Sequence, residues 1–150
     1  MKKLILVAGG TASGKTTVAK ELVESLGDSL LIRMDEFYLE NKENIKNYNY
    51  DAPYAFDIDL IIKTLLKAKK GEKIYIPKYN YNTHSIIGHK TIDTSKYNTV
   101  IFEGILSLFF KELRELADLK IYVETPDDIR LARRIKRDVV ERGRDINKII

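Results

Sequence analysis

A glycine-rich segment directly behind a short apolar run constrains the fold of this chain more than any other stretch. Residues 3–8 are typical of a buried parallel strand, and they lead into GGTASGKT at residues 9–16, which matches G-x-x-x-x-G-K-[ST] at every fixed position. Glycines let backbone N–H groups turn inward and form an anion-binding nest at the start of a helix. A chance glycine-rich turn is the alternative, but strand, loop and helix follow one another in the order that the motif requires. The sequence therefore predicts a site for a nucleoside triphosphate.

The motif gives particular side chains a role at the triphosphate. Lys15 is expected to reach the β- and γ-phosphates, and the hydroxyl of Thr16 is expected to be a ligand of Mg²⁺. The predicted ATP-binding residues of this segment are Gly9, Gly10, Thr11, Ala12, Ser13, Gly14, Lys15, Thr16 and Thr17.

Length and composition exclude several classes of protein. At 150 residues and 44% hydrophobic residues, the chain is long enough for one domain with a buried core. It contains no cysteine, which excludes a disulfide framework and a thiolate metal site. The net charge of +4 suits binding of anionic phosphates and is weak evidence for nucleic acid. No stretch reaches transmembrane length, and the first apolar run is too short for a signal peptide. We therefore expect a cytoplasmic protein without a membrane partner.

Apolar runs alternate with amphipathic segments along the chain. Besides residues 3–8, buried strands are expected at residues 29–34 and 98–102, a fourth parallel strand at residues 119–123, and helices at residues 15–26, 58–69 and 107–116. This alternation predicts an α/β fold of three layers with a parallel sheet. Two segments interrupt it. Residues 39–56 are polar and are expected to form a loop. Short strands at residues 73–76, 79–82 and 90–92 predict a small inserted β-hairpin.

Two of the predicted helices carry signals at their ends. Gly27 is a natural C-cap for the helix at residues 15–26. Asp57 is placed to cap the helix at residues 58–69. Lysines near the end of that second helix are expected to form a solvated face, because cations are favoured at a helix C-terminus. They are Lys67, Lys69 and Lys70.

Acidic residues end two of the predicted strands. Asp35 follows residues 29–34, and Glu103 follows residues 98–102. Ligands of open parallel sheets bind beyond the carboxyl ends of the strands. We interpret Asp35 as a base that orients or deprotonates a substrate hydroxyl, with a helix cap or a solvated turn carboxylate as the less favoured alternative. Glu103 fits a Walker-B role, in which it holds Mg²⁺ directly or through water.

A final helix rich in arginine is predicted near the end of the chain. Thr125 as N-cap and Pro126 at the first helical position mark its start. Arg130, Arg134 and Arg137 share one face. A clamp on the transferring phosphoryl group is the favoured interpretation for some of these arginines. A nucleic-acid-binding face and plain solvated charge are the alternatives.

Taken together, these segments resemble the uridine kinase (uridine–cytidine kinase) family of P-loop nucleoside kinases. The resemblance covers essentially the whole chain, and only its first segment is shared by many NTPases. The segments are GGTASGKTT at 9–17, MDEFY at 34–38, YNYDAPYAFD at 48–57, IPKYNYNTHS at 76–85, FEGIL at 102–106 and DIRLARRIKRDVVERGRD at 128–145. The resemblance implies transfer of the γ-phosphate of ATP to the 5′-hydroxyl of uridine or cytidine, with Mg²⁺ as cofactor.

The resemblance also implies a role for individual residues. Asp35 would be the catalytic base and Lys15 would act on the transferred phosphate. Asp51 would hold the ribose hydroxyls, and Glu103 with Thr16 would serve Mg²⁺. Arg134 would belong to the part that closes on the ATP phosphates. The other residues implied to bind the nucleoside are Tyr38, Tyr50, Tyr79, Tyr81, His84 and Arg130.

The sequence departs from the family in two places. Family members continue with another helix and a last strand, so we expect residues 1–150 to be a single kinase domain that lacks them. The segment between Asp35 and Asp51 is rich in lysine and asparagine and matches the family only loosely. The family commonly forms oligomers, which makes a homo-oligomer one expectation. Alternatives to a uridine or cytidine kinase are a kinase for pantothenate or a phosphorylated sugar, a nucleotide-binding regulatory protein that binds RNA, and an inactive fragment.

Overall fold

The computed structural model describes residues 1–10, 14–41 and 48–124. In chain order, its strands and α-helices are β1 (Lys3–Gly9), α1 (Lys15–Leu26), β2 (Ser29–Arg33), α2 (Ile58–Lys69), β3 (Lys73–Asn80), β4 (Ser85–Asp93), β5 (Thr99–Glu103), α3 (Lys111–Leu116) and β6 (Leu119–Val123). The predicted final helix, with Arg130, Arg134 and Arg137, lies outside the described residues, as do Thr11, Ala12 and Ser13. No helix in the described part of the chain is long and apolar enough to cross a membrane.

Four strands form a parallel sheet in the order β2-β5-β1-β6. The register places Val7 of β1 beside Glu103 of β5, and Arg33 of β2 on the other side of Glu103. Because all four strands run in one direction, their carboxyl ends lie along one edge. The predicted parallel sheet is therefore confirmed, and it gathers the ends of β1, β2 and β5.

Both faces of the sheet are covered. On one face, Ala19 of α1 packs against Ile5, Val7 and Ile101. On the other face, neighbouring strand residues such as Leu4, Leu6 and Phe102 share a core with α2 and with the antiparallel hairpin β3–β4. Apolar side chains on both sides of β1 and β5 explain why these two strands are continuous hydrophobic runs in the sequence, whereas Lys120 and Tyr122 of β6 are exposed. The predicted three-layer α/β arrangement is confirmed.

The two long helices have the predicted bounds. The side chain of Asp57 accepts a hydrogen bond from the backbone N–H of Leu60 at 3.2 Å and caps α2. Gly27 ends α1 with a φ of 62°, in the left-handed region that favours glycine.

The predicted hairpin exists, but its three short strands are wrong. The structure has two longer strands, and Pro77 lies inside β3. A two-stranded ribbon leaves one edge of each strand without partners, so a residue that lacks an N–H group is tolerated there. The register shifts between Lys78 and Tyr79, which is typical of a β-bulge.

The helix predicted at residues 107–116 begins later, at Lys111. Buried Ser107 donates its hydroxyl to the carbonyl oxygens of Val7 at 3.0 Å and of Gly104 at 3.1 Å. Such side-chain bonds to the backbone compete with helix formation, and the chain makes turns here instead.

The solvated lysine face at the end of α2 is wrong for Lys69. Its side chain is buried, and its Nζ donates to the carbonyl oxygen of Leu116 at 2.6 Å and lies 3.5 Å from Oδ2 of Asp118. The long aliphatic stem lets the charged group pass under the helix to these partners. Sequence spacing alone could not reveal partners 47 and 49 residues away.

Candidate active site

The phosphate loop is flanked by glycines whose backbone suits an anion site. Gly14 has φ 100° and ψ 8°, a left-handed conformation, and is the N-cap of α1. A glycine offers no side chain to cap the first N–H groups of the helix, so these groups stay available to an anion. Gly9 is the last residue of β1, and Gly10 follows it directly. The loop therefore leads from the end of a central strand into a helix start.

Lys15 and Thr16, at the start of α1, face an acid on the neighbouring strand. The hydroxyl of Thr16 donates to Oε1 of Glu103 at 3.1 Å, and Nζ of Lys15 lies 3.9 Å from the same oxygen. Lys15 and Glu103 are both buried. The hydroxyl and the carboxylate are oxygen donors of the kind that Mg²⁺ prefers.

This pair of oxygens fits a magnesium ion that is completed by phosphates and water. In the part of the chain that the structure describes, no group of three His, Cys, Asp or Glu residues could hold a metal by itself. Mg²⁺ commonly takes only one or two protein ligands and fills its other positions with substrate phosphates and waters. The two oxygen donors of Thr16 and Glu103 match the number of protein ligands that such a site commonly has.

Arg33, which the sequence analysis did not single out, joins Glu103 to Asp35. Its Nε lies 3.5 Å from Oε2 of Glu103, and its Nη2 lies 3.6 Å from Oδ2 of Asp35. We call Lys15, Thr16, Arg33, Asp35 and Glu103 the polar cluster. A charged residue at the carboxyl end of an otherwise apolar strand, two residues before Asp35, was the signal that could have identified Arg33.

The backbone at Gly104, just beyond β5, passes close to the side chain of Met34, just beyond β2. A Cβ atom on Gly104 would overlap with the side chain of Met34, the residue that follows β2. The N–H of Gly104 donates to the carbonyl oxygen of Val7 at 3.0 Å. A glycine after Glu103 is therefore required by space, and it brings the segments that carry Glu103 and Asp35 near each other.

Five predicted residues from three separate segments form an aromatic cluster, which we define as Tyr38, Tyr50, Tyr79, Tyr81 and His84. The ring centroid of Tyr38 lies 5.3 Å from that of Tyr79, 5.8 Å from that of Tyr50 and 6.4 Å from that of Tyr81. These are ordinary distances for interacting aromatic rings. Tyr38 is therefore the centre of the cluster.

His84 is held in a fixed orientation. Its ring stacks on Tyr50, with centroids 4.9 Å apart and an interplanar angle of 19°, and its Nδ1 lies 3.5 Å from the hydroxyl of Tyr79. Its backbone has a φ of 52°, a left-handed conformation that is uncommon for residues other than glycine. This turn aims a side chain with a polar edge into the aromatic cluster.

Asn41 supports the stacked pair of Tyr50 and His84, and the sequence analysis did not identify it. Its backbone N–H donates to the carbonyl oxygen of His84 at 2.8 Å, and its Nδ2 donates to the hydroxyl of Tyr50 at 3.1 Å. Asn41 lies in the segment between Asp35 and Asp51, which carries no regular pattern. No local signal distinguishes it from the other asparagines there.

The aromatic cluster touches the polar cluster at Asp35. The hydroxyl of Tyr81 donates to the backbone carbonyl of Asp35 at 3.3 Å. Asp51 follows Tyr50 in a turn, and its backbone N–H donates to Oδ1 of Asn49 at 2.9 Å. The two clusters are therefore in direct contact, whereas Arg130 and Arg134 lie outside the described residues.

Tyr48 extends the aromatic surface beside Tyr50, with centroids 4.8 Å apart. Partial burial, followed by the neighbouring phenols Tyr54 and Tyr50, raises the pKa of the Tyr48 hydroxyl above its ordinary value of 10.0. The raised pKa keeps the Tyr48 hydroxyl protonated, and so a hydrogen-bond donor, to a higher pH than in an ordinary tyrosine.

Solved structures share the fold at low sequence identity. Phosphoribulokinase from Rhodobacter spheroides superposes with a TM-score of 0.71 at 18% identity, over 99% of this chain and 61% of that one. A protein of Silicibacter sp. TM1040, regarded as a fructose transport system kinase, superposes with a TM-score of 0.81 at 20% identity, over 99% of this chain and 77% of that one. These similarities support the P-loop kinase fold of the chain.

Curated relatives are similar in sequence over nearly the whole chain. Uridine-cytidine kinase A of Dictyostelium discoideum is 45% identical over 98% of this chain, which spans 30% of that protein's length. Uridine-cytidine kinase-like 1 of Mus musculus is 46% identical over 96% of this chain, which spans 28% of its length. Uridine kinase of Staphylococcus aureus (strain Newman) is 39% identical over 98% of this chain, which spans 73% of its length. The model of the phosphoribulokinase / uridine kinase family matches residues 4–150, and the chain belongs to that family.

Proposed function

We propose that this chain is an ATP-dependent kinase that transfers the γ-phosphoryl group to the 5′-hydroxyl of uridine or cytidine. The observation that carries the proposal is the hydrogen bond from the Tyr81 hydroxyl to the backbone of Asp35, which joins an aromatic cluster to the polar cluster beside the phosphate loop. Its curated relatives, named uridine kinases and uridine-cytidine kinases, support the choice of a pyrimidine nucleoside as acceptor.

The phosphate loop and its neighbours would bind ATP. The backbone N–H groups of residues 9–17 would surround the phosphates, and Lys15 would contact the β- and γ-phosphates. Thr16 and Glu103, whose oxygens lie 3.1 Å apart, would hold Mg²⁺. When bound, this ion would neutralise charge on the β- and γ-phosphates. Arg134 is proposed to add positive charge to the same phosphates.

Asp35 would act as the general base for the acceptor hydroxyl. Its carboxylate would take the proton of the nucleoside 5′-hydroxyl while that oxygen attacks the γ-phosphorus, and the bond from phosphorus to ADP would break. Asp35 lies at the end of β2, adjacent to the strand that carries Glu103. Alignment of the attacking oxygen by remote contacts is a large part of catalysis in such reactions.

The aromatic cluster would bind the base. Tyr50, Tyr79 and Tyr81 are partly exposed and would offer ring surface, while buried Tyr38 would support them from the core. His84 would offer a hydrogen-bond donor or acceptor to the polar edge of a pyrimidine. Asp51 and Arg130 are proposed to contact the rest of the nucleoside, with Asp51 on the ribose hydroxyls.

The test is a coupled assay of ADP release with ATP, Mg²⁺ and a panel of acceptors: uridine, cytidine, adenosine, pantothenate and none. We expect turnover with uridine or cytidine only. Asp35→Asn is expected to lower kcat by about 10²- to 10⁴-fold while ATP still binds, because it removes the proton acceptor and leaves the phosphate loop intact.

The matched control is Asp59→Asn, which makes the same change at an exposed position in the first turn of α2. It should leave turnover unchanged. Turnover with pantothenate but not with pyrimidine nucleosides, or ATP binding without any nucleoside turnover, would contradict the proposal.

A further inference from the structure

Arg33 contacts both carboxylates of the polar cluster. The register between β2 and β5 pairs Arg33 with Glu103, and side chains at paired positions project from the same face of a sheet. The ion pair between Nε of Arg33 and Oε2 of Glu103, at 3.5 Å, therefore follows from the backbone register. The second ion pair, from Nη2 to Oδ2 of Asp35 at 3.6 Å, depends on the short 3₁₀ turn at Met34–Glu36 that follows the strand.

The two oxygens of Glu103 have different neighbours. Oε1 accepts the hydroxyl of Thr16 and lies 3.9 Å from Nζ of Lys15, so it faces the phosphate loop. Oε2 faces Arg33. Glu103 therefore has a hydrogen-bond donor at one oxygen and the guanidinium of Arg33 at the other, and the same guanidinium also contacts Asp35.

We propose that Arg33 is a positioning residue that couples Asp35 to Glu103 and holds the Asp35 carboxylate beside the phosphate loop. This inference rests on the proposed kinase function, which gives Asp35 the acceptor hydroxyl. A guanidinium suits the task because its Nε and Nη2 donors are fixed in one plane and it keeps its charge at any working pH. It also supplies a cation where two carboxylates and a triphosphate would otherwise repel one another.

The exposure of Arg33 and its partners predicts how its loss affects kcat and the melting temperature. Its side chain is 37% exposed and that of Asp35 is 22% exposed, whereas Glu103 is 5% exposed. The ion pair between Arg33 and Asp35 is open to water and contributes little to stability. Because Glu103 is buried, loss of the Arg33 cation is expected to lower the melting temperature by about 2–4 °C in addition to its effect on kcat.

The kinetic test compares the wild type with Arg33→Gln, Arg33→Lys and the control Lys63→Gln, which removes a positive charge from an exposed position of α2. We expect Arg33→Gln to lower kcat for uridine about 10- to 100-fold. Arg33→Lys should recover part of this loss, because it keeps the charge without the planar pair of donors. The KM for uridine and the calorimetric Kd for Mg·ATP without nucleoside should stay within about 3-fold of wild type, as for Lys63→Gln. An unchanged kcat, or a loss of Mg·ATP affinity as large as the loss of kcat, would overturn the proposal.

A second measurement does not require activity. Thermal unfolding of Arg33→Gln, Asp35→Asn and the double variant forms a double-mutant cycle. We expect the effect of Asp35→Asn on Tm to differ by about 1 °C between the two backgrounds, because Asp35 loses one neighbouring cation in Arg33→Gln and the pair is partly exposed. Additive changes in Tm would overturn the coupling. A wild-type chain that phosphorylates no nucleoside would contradict the proposed function, while this cycle would still report whether Arg33 and Asp35 are coupled.

Discussion

The polar cluster and the aromatic cluster meet at Asp35, but the chain builds them from different kinds of segment. Lys15, Arg33 and Glu103 stand at the ends of regular elements, and the register of the parallel sheet sets the spacing of Arg33 and Glu103. The aromatic residues come from a turn after β2, an irregular loop and the tip of the hairpin. Their spacing is set by contacts between side chains and by a few hydrogen bonds such as those of Asn41.

This difference predicts different responses to substitution. A side chain of the polar cluster can be changed without moving the backbone that carries its neighbours, so the chemistry should change while nucleoside binding survives. Each side chain of the aromatic cluster positions the other rings through direct contacts. Its loss should therefore weaken nucleoside binding more than it lowers kcat. The predictions that follow test this separation of kcat from KM.

The largest effect is expected at the polar cluster. Lys15→Ala removes the buried cation that would face the β- and γ-phosphates, and should lower kcat about 10³-fold. The KM for uridine should change less than about 3-fold, because no aromatic contact is lost. Steady-state ADP release measures both parameters, with Lys63→Gln as the charge control. A rise in the KM for uridine as large as the fall in kcat would contradict the expected separation of the two clusters.

A smaller effect, in the other parameter, is expected at the aromatic cluster. His84→Ala removes the ring that stacks on Tyr50 and meets the hydroxyl of Tyr79, and should raise the KM for uridine about 10- to 30-fold. The kcat should fall less than about 3-fold. The control is His89→Ala, at an exposed position of β4 in the same hairpin. Unchanged KM for both uridine and cytidine would argue against a base-binding role for His84.

The smallest effect is expected at the amino ends of the strands, on the side of the sheet away from both clusters. Oδ2 of Asp118 accepts the backbone N–H of Leu4 at 2.8 Å and lies 3.5 Å from Nζ of Lys69. The hydrogen bond from Leu4, followed by the charge of Lys69, lowers the pKa of Asp118 below its ordinary value of 3.8. A lowered pKa in the folded state stabilises the fold above about pH 4, and this stabilisation is lost as pH falls through the folded pKa.

Asp118→Asn should therefore lower Tm by about 1–2 °C at pH 6 and by less at pH 3, because the side chain is 38% exposed and its ion pair is weak. Thermal unfolding at both values of pH measures this, and kcat and KM at pH 7 should match the wild type. A change in either kinetic parameter would show that the contacts of Asp118 and the candidate active site are not independent.

The sequence predicted the elements of the polar cluster well because the signals are local. The glycine motif and the apolar runs identify β1, α1, β2 and β5, and the rule that strand ends meet at one edge brings Lys15, Asp35 and Glu103 together. Arg33 was missed because its importance comes from the strand order: β5 lies between β1 and β2, so Arg33 is next to Glu103. Strand order is a property of the assembled sheet.

The aromatic cluster, in contrast, could not be predicted from local signals in the sequence. The identity of its residues came from a family resemblance, since Tyr79, Tyr81 and His84 taken alone are typical of an ordinary packed strand and turn. The predicted three short strands were wrong because a local pattern does not reveal that β3 continues through Pro77 and turns after Asn80. The packing of Tyr38 against rings 12 to 43 residues away in the chain is decided by the fold.

By itself, the sequence determined the α/β class, the phosphate loop, the bounds of α1, α2 and β6, and the acids that follow the strands. These properties depend on hydrophobic period, glycine conformation and helix caps, which act over a few residues. Only the tertiary structure decided that Arg33 bridges Glu103 and Asp35, that Asn41 supports Tyr50 and His84, and that Lys69 is buried against Asp118. Those contacts join segments that are distant in the chain, and the free energy that selects them arises only when the core assembles and excludes water.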